Sequence, residues 1–139
     1  MRKMFFSVRP YYPDLGILVL RICAGGIMAI AHGWPKLANY AEKSQTFKDV
    51  FGIGSEANLI LAILAEFFCG LLITIGLFTR LASVPLFITM FIAFFLVHAA
   101  DPFQKKELAL LYMLMYVILI LTGPGKYSAD FYFCKDKPE

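Results

Sequence analysis

The sequence has few charged side chains: they make up 17% of its 139 residues, against about 25% in ordinary soluble domains. The 13 Lys and Arg residues against 10 Asp and Glu leave a net charge of +3, which is too small and too dispersed to predict a nucleic-acid partner. The 3 cysteines form no Cys-x-x-Cys pair, so neither a thiol–disulfide motif nor a structural zinc site is indicated.

Long apolar runs are what the chain has in excess, and hydrophobic residues make up 60% of it. A bilayer core about 30 Å thick requires about 20 apolar residues per helix. Three runs meet this length, and the fourth meets it only if its helix begins at Pro102 after an Asp101 cap. The predicted spans are 15–34, 57–79, 81–100 and 102–122. The sequence therefore predicts an all-α membrane protein, an antiparallel bundle of four transmembrane helices in one domain over residues 1–139, and excludes a soluble enzyme or a disordered chain.

Four spans place both termini on the same side of the membrane. That side carries 7 basic residues and the other carries 5, a weak positive-inside bias that predicts cytoplasmic termini. The 7 are Arg2, Lys3, Arg9, Arg80, Lys126, Lys135 and Lys137. The connection 34–57 mixes apolar and charged residues, and it is predicted to be either an amphipathic helix that covers the outer mouth of the bundle or a solvated loop.

Ionisable side chains within the apolar runs are the strongest functional signal, because each charge costs about 2.5–3.5 kcal/mol at the centre of a bilayer. One such group from each helix is expected at the same outer level of the bundle, where they converge. The candidate ligand- or proton-binding residues are His32, Lys36, Glu66, His98 and Glu107. The alternative is a polar network that only fixes the register of the helices.

Arg21 is predicted to be a structural anchor. Helical rise and the lean of side chains put Arg21 in the inner half of the bundle and Glu66 in the outer half, which disfavours a direct salt bridge between them. We expect Arg21 to reach Asp14, on the same stripe of its helix, or Asp130, if the C-terminal tail folds back beneath the bundle. These three residues are the predicted structural charge anchors.

Three motifs along the chain resemble those of the DoxX family. Arg21 followed by the segment 32–36 is similar to the family's Arg…His-Gly-x-x-Lys signature. Glu66, with Gly70 and the segment 76–80, resembles its Glu-x-x-x-Gly…Gly-Leu-x-Thr-Arg pattern. The closing segment 123–130 resembles its Gly-Pro-Gly-x-x-Ser-x-Asp ending.

The resemblance implies a four-helix protein of the bacterial inner membrane that is a subunit of a quinol-linked oxidoreductase, of which the thiosulfate:quinone type is one example. Because the sequence has no haem-attachment motif and no flavin fingerprint, electron transfer would require a partner redox subunit. A quinone needs an apolar slot and a hydrogen-bond partner at each carbonyl. The predicted polar pairs are His98 with Glu107 and His32 with Glu66. Phe91 and Phe94 are predicted to wall the slot.

Three other interpretations stay open. The same cluster would serve binding or transport of a small solute, lipid or proton, for which a homo-oligomer is expected because four helices enclose only a thin path. The chain would alternatively be an assembly partner without activity of its own. A metal site built from the two histidines and the two glutamates is disfavoured, because no two of them have the i, i+3 or i, i+4 spacing of a ligand pair.

Overall fold

The computed structural model describes residues 12–134, and its regular structure is helical throughout that part of the chain. The helices are α1 (Pro13–Ala38), α2 (Tyr40–Thr46), α3 (Ser55–Ile75), α4 (Thr79–Val97), α5 (Phe103–Thr122) and α6 (Ala129–Cys134). Five of the basic residues that entered the orientation argument lie outside the described residues. They are Arg2, Lys3, Arg9, Lys135 and Lys137.

Three helices are long and apolar enough to cross a membrane. These are α1, α3 and α4, with 26, 21 and 19 residues and mean hydropathies of 1.9, 2.3 and 2.1 in their most apolar stretches. Helix α5 has 20 residues, but Lys105, Lys106 and Glu107 lie in its first turns and reduce its apolar character. Length and composition therefore identify three of the four predicted spans.

The ends of the spans differ from those predicted by a few residues. Helix α1 continues past Pro35 to Ala38, with Pro35 in the first turn of the α-helical stretch that follows the π-helical one, where proline is tolerated. Helix α3 ends before Gly76 rather than at Thr79, because Gly76 adopts a left-handed conformation with φ of 75°.

Close contact between α1 and α3 depends on glycine. A Cβ added at Gly25 would lie 2.5 Å from the carbonyl oxygen of Gly70, and one added at Gly33 would lie 2.6 Å from the Cα of Phe67. Small residues at such crossings let two backbones approach within the membrane. The resulting core also includes α4 and α5, and its largest buried members are Met28, Ile73, Leu86, Tyr116 and Leu119.

Three stretches of these helices are wound as π-helix, which is wider than α-helix. They are Ile22–Gly33 in α1, Leu64–Cys69 in α3 and Ala93–Val97 in α4. From Leu64 onwards, α3 packs against α4, whereas its first part, Ser55–Ile63, packs against α2 and the end of α1. The two helices therefore diverge towards the end of the molecule that carries α2, which we call the α2 end.

At the opposite end, the C-terminal tail folds back beneath the helices, which was the condition for the predicted contact between Arg21 and Asp130. Asp130 accepts hydrogen bonds from the amides of Phe78 and Thr79, at 2.7 and 2.9 Å, and so caps α4. Its backbone amide donates to the carbonyl of Gly76 at 2.8 Å.

The partners of Arg21 correct the prediction. Its fully buried guanidinium donates to the main-chain carbonyls of Ile73, at 3.4 Å, and Tyr127, and forms an ion pair with neither predicted aspartate. Both carboxylates have other partners: Asp130 binds the free amides at the start of α4, and Asp14 accepts a hydrogen bond from the amide of Lys126 at 3.0 Å, with the Lys126 ammonium 3.8 Å away.

Candidate functional site

A cavity of about 540 Å³ occupies the space where α3 and α4 diverge. Each π-helical stretch contributes to its wall: Met28 and His32 from α1, Ala65 and Glu66 from α3, and Ala93 from α4. Short π-helical segments are frequent at functional sites, because the extra residue in the turn displaces side chains from the regular helical pattern. Helix α5 completes the wall with Leu108, Ala109 and Tyr112.

The polar end of the cavity holds an ion pair between Lys36 and Glu66. Both side chains are largely withdrawn from solvent, with 20% and 7% of their surface exposed. The Lys36 ammonium also donates to the carbonyl of His32, one turn earlier in α1, at 3.2 Å. This hydrogen bond to the His32 carbonyl holds the Lys36 side chain along α1, so that its ammonium reaches Glu66 on α3.

His32 lies beside this pair. The prediction paired His32 with Glu66, but the two side chains are not hydrogen-bonded. The His32 ring instead packs edge-on against the ring of Tyr112, with centroids 5.9 Å apart and planes at 82°. Lys36 occupies the position at Glu66 that the prediction gave to the histidine, because the α-helical turn Trp34–Ala38 extends α1 far enough to bring the lysine there.

His98 lines the cavity just after the end of α4 and bonds Asp101, not the predicted Glu107. The distance between His98 Nδ1 and the Asp101 carboxylate is 2.7 Å, and the ammonium of Lys105 lies 3.7 Å from the same carboxylate. The hydrogen bond to His98 lowers the pKa of Asp101 more than partial desolvation raises it, and the charge of Lys105 adds to the lowering.

Glu107 is exposed and does not join the other candidates around the cavity. At about 100° per residue, it lies roughly 200° around α5 from Ala109, which lines the cavity. The prediction assigned Glu107 from its level along the helix axis alone, and the side chain points away from the cavity.

Phe91 and Phe94 do not wall the cavity. Phe91 packs against Phe95, with ring centroids 4.5 Å apart, on an exposed face of α4. Phe94 lies beneath the ammonium of Lys106, which is 5.2 Å from its ring centre. The wall that α4 supplies is largely aliphatic, with Pro85, Ile88 and Ile92 among its residues, because Phe94 lies about half a turn around the helix from Pro85.

The connection between α2 and α3, residues 47–54, forms a strap across the α2 end of the cavity. Phe47, Val50 and Phe51 contribute to the cavity lining. Lys48 donates to the carbonyls at the end of α4, those of Leu96 and Val97, at 3.4 and 3.2 Å. The sequence predicted either a covering amphipathic helix or a solvated loop for 34–57. The segment is partly helical, and its residues 47–54 cover the cavity.

Asp49 holds the other side of the strap. Its carboxylate accepts hydrogen bonds from the amides of Ile53 and Gly54, at 3.1 and 3.0 Å, and from the side chain of Asn58 at 2.7 Å. Desolvation raises the pKa of Asp49, but the hydrogen bonds together outweigh it, and the pKa lies below its ordinary value. The strap is therefore bonded to α3 through Asp49 and to α4 through Lys48.

Two buried polar residues of the site were not predicted. Asn58 and Tyr112 are each 4% exposed and line the cavity, and the Tyr112 hydroxyl has no hydrogen-bond partner among residues 12–134. The available signal was the pair Tyr112 and Tyr116, one turn apart in an otherwise aliphatic run, since a buried tyrosine usually requires a partner for its hydroxyl. Tyr116 has such a partner in the carbonyl of Ala24, at 3.1 Å.

In the part of the chain that the structure describes, no three His, Cys, Asp or Glu side chains are grouped closely enough to hold a metal ion. The two predicted histidines have different surroundings: His32 lies beside the ion pair, and His98 follows the end of α4 and bonds Asp101. The site is thus an apolar cavity with charged and hydrogen-bonding groups concentrated towards one end.

These features define a small, all-helical integral membrane protein with a cavity between its helices. The DoxX family profile matches residues 16–99, and the chain belongs to the DoxX family. The predicted family membership is confirmed, and the first two motifs lie within the matched residues.

Two relatives match most of the chain. Inner membrane protein YqjF of Escherichia coli is 35% identical over 125 residues, which cover 84% of this chain and 91% of that protein. An uncharacterized protein of Haemophilus influenzae is 31% identical over 134 residues, covering 91% of this chain and 94% of its own length. No solved structure gives a significant match.

Proposed function

We propose that the protein spans the inner membrane four times, with α5 as the fourth span and both termini in the cytoplasm. The 20 residues of α5 cover about 30 Å, the thickness of a bilayer core. Lys105 and Lys106 near its start can extend their long side chains to the membrane surface. The location follows from the relative named inner membrane protein YqjF, and the orientation follows from the excess of basic residues on the terminal side.

We further propose that the cavity binds a quinone or a closely similar lipophilic carbonyl compound. The supporting observation is the cavity itself: about 540 Å³ of mainly apolar space with the Lys36–Glu66 ion pair towards one end. Ligand pockets of about 300–1,000 Å³ typically combine apolar walls with a few convergent polar groups. A membrane protein retains buried charges at considerable cost, and ligand binding is a common reason for it.

The lining residues fit a quinone head group. A quinone ring has two carbonyl oxygens at opposite positions and needs a hydrogen-bond donor at each. Lys36 and the His32 ring offer donors from α1, and the His98 ring and Lys105 offer donors from the end of α4 and the start of α5. When bound, a quinone supplies a carrier of electrons and protons.

Within this site, the residues of the chain bind and orient the head group. Glu66 keeps the Lys36 ammonium neutralised in surroundings of low dielectric constant, so the lysine is tolerated there and still has N–H groups to donate. The aliphatic side chains of α3 and α4 exclude water around the ring. The source of electrons is assigned to a partner redox subunit.

Binding of decylubiquinone to the purified protein in phosphatidylethanolamine–phosphatidylglycerol vesicles tests the proposal. We expect saturable binding by the wild type. H32A and the double variant K36Q/E66Q, which removes both charges and leaves neither unpaired, are expected to weaken it about tenfold, because each removes a hydrogen-bond donor to a quinone carbonyl and tenfold corresponds to about 1.4 kcal/mol. E107Q is the matched control, since Glu107 is exposed and points away from the cavity. The absence of saturable binding by the wild type, or equal binding by all variants, would contradict the proposal.

A further inference from the structure

We infer that the ligand of this cavity enters sideways from the bilayer, through an opening between α3 and α4 that we call the lateral portal. The portal is bounded by Leu61 on α3 and Ile88 on α4. This inference rests on the proposed function and adds the class of ligand: a lipophile with a single polar head and an apolar tail that stays in the portal after the head has bound.

The first support is the divergence of the two helices. Helix α4 packs against α3 along Leu64–Ile75, but Ser55–Ile63 turns towards α2 and the end of α1. The strap, residues 47–54, is bonded to the start of α3 and to the end of α4. Leu61 and Ile88, which lie deeper on these two diverging helices, both line the cavity.

The second support is the exposure of residues that also line the cavity. Leu61 and Ile88 are 48% and 49% exposed. Leu61 lies six residues into α3 and Ile88 nine residues before the end of α4, so they lie about 9 and 13 Å from the helix ends. At that depth an exposed side chain faces lipid chains, and the same side chains face the cavity.

The third support is that the α2 end of the cavity is covered. The strap crosses it with Phe47, Val50 and Phe51 turned to the cavity. Lys48 bonds the strap to the end of α4 and Asp49 bonds it to the start of α3. A ligand that entered from the aqueous side would have to break the hydrogen bonds of Lys48 or those of Asp49. A ligand that entered between Leu61 and Ile88 would only have to displace aliphatic side chains.

These three observations specify the geometry of the ligand. Its head group reaches the Lys36–Glu66 pair, and its tail lies along the aliphatic wall of Leu61, Ile88 and Ile92. A molecule with one polar head and one alkyl or isoprenoid tail fits this site, because the head meets the ion pair and the tail meets the aliphatic wall. A compound without a tail binds only through its head and gains nothing from the portal.

Narrowing the portal tests the inference. The double variant L61F/I88F is compared with the control I60F/V84F, whose positions are 42% exposed on the same helices but do not line the cavity. Binding is followed in vesicles by the saturable phase of fluorescence quenching of Trp34, the single tryptophan, with two quinones: decylubiquinone and the tail-less dimethoxy-methyl-benzoquinone.

We expect the portal variant to slow association of decylubiquinone about tenfold or more relative to the control variant, because the larger side chains obstruct the opening that the ring must pass. The tail-less quinone carries the same ring, so its association should be slowed as well, and it should bind the wild type more weakly because no tail occupies the portal. Wild-type association rates for both quinones in the portal variant, or equal slowing by the control variant, would overturn the lateral portal. If the wild type itself binds neither quinone saturably, the proposed function fails instead.

A second measurement covers the case in which the portal variant does not fold. Decylubiquinone carrying a diazirine at the end of its tail is bound to the wild type and activated by light, and the labelled peptides are identified by mass spectrometry. Labelling around Leu61 and Ile88 supports the portal. Labelling concentrated on the strap, residues 47–54, would show that the tail leaves through the aqueous end and would overturn it.

Discussion

Lys36 and Glu66 are 30 residues apart in sequence and form an ion pair between α1 and α3. Neither charge is well solvated, so each depends on the other. The pair fixes the relative position of the two helices at the level where α3 begins to leave α4. The opposite charges of Lys36 and Glu66 also neutralise each other within the cavity lining.

Breaking this pair is expected to cost more than removing it. In E66Q the Lys36 ammonium loses its counter-charge, and only 20% of the lysine side chain is exposed to solvent. We expect the variant to lose about 2–3 kcal/mol of stability. A fully buried pair typically loses more, about 3–5 kcal/mol. The double variant K36Q/E66Q should recover part of this loss. Thermal unfolding in detergent, arranged as a double-mutant cycle, gives the coupling between the two residues. Additive effects of K36Q and E66Q would show that the pair contributes nothing.

The close approach of α1 and α3 predicts opposite effects at two adjacent glycines. In G25A the new methyl group meets the carbonyl of Gly70 at 2.5 Å, so the helices must separate, and we expect a loss of about 1–3 kcal/mol. In G26A the nearest atom is the Thr74 hydroxyl at 3.8 Å. There the methyl group fits, and the lower backbone entropy of the unfolded chain should stabilise the protein by up to about 1 kcal/mol.

Melting temperatures in the same detergent check both substitutions. The two positions share one helix, one neighbour and one type of change, so they form a matched pair. Equal melting temperatures for G25A and G26A would mean that the contact between the two backbones is looser than the structure describes.

The sequence was sufficient for the parts of the fold that depend on local hydrophobicity. Three spans follow from runs of apolar residues long enough to cross a bilayer. Glu66 was singled out because charge is rare in these runs, and Lys36 because it belongs to a segment that resembles the family signature; both line the cavity. These inferences need only composition, position along the chain and a short motif.

The direction of side chains around each helix could not be predicted in the same way. Glu107 was assigned from its depth, and depth does not specify on which side of α5 the carboxylate lies. The π-helical stretches add a further error, because they change the number of residues per turn and so rotate every later side chain relative to a regular α-helix. Tyr112 was missed for a different reason: hydropathy counts tyrosine with the apolar residues, so its hydroxyl leaves no mark in an apolar run.

Asp130 is expected to be the most important single residue of the tail. In D130A the amides of Phe78 and Thr79 lose their acceptor at the start of α4, and the loss of a helix cap typically costs about 0.5–2 kcal/mol. We expect a loss near the upper end, about 2 kcal/mol, because Arg21 nearby is fully buried and loses a neighbouring negative charge.

Far-UV circular dichroism during heating measures this effect, with D14A as the control. Asp14 also binds the tail, but through one amide and an exposed lysine 3.8 Å away, so D14A should be milder. D130N retains an oxygen acceptor and should lie between the wild type and D130A. If D130A is as stable as D14A, the cap that Asp130 forms on α4 does not stabilise the fold.

The strap is expected to loosen in acid through Asp49. The hydrogen bonds from the Gly54, Gly52 and Ile53 amides and from Asn58 outweigh desolvation and place the pKa of this carboxyl below its usual value. A carboxyl whose pKa is lower in the folded than in the unfolded protein stabilises the fold above the unfolded pKa, about 3.9, and that contribution is lost as the pH falls through the folded pKa. The strap is therefore held at neutral pH and released below about pH 4.

Hydrogen exchange of the Ile53 and Gly54 amides measures this release, because both amides donate to Asp49. At neutral pH the wild type should protect them more than D49A does, and the difference should vanish once the pH falls below the folded pKa. Comparison at each pH cancels the intrinsic dependence of exchange on acidity. D49N, which keeps an acceptor oxygen but cannot titrate, should show protection relative to D49A that does not change with pH. A wild-type advantage that persists unchanged into acid would mean that the strap is held by Lys48 and by apolar contacts, and that the charge of Asp49 has no part in covering the cavity.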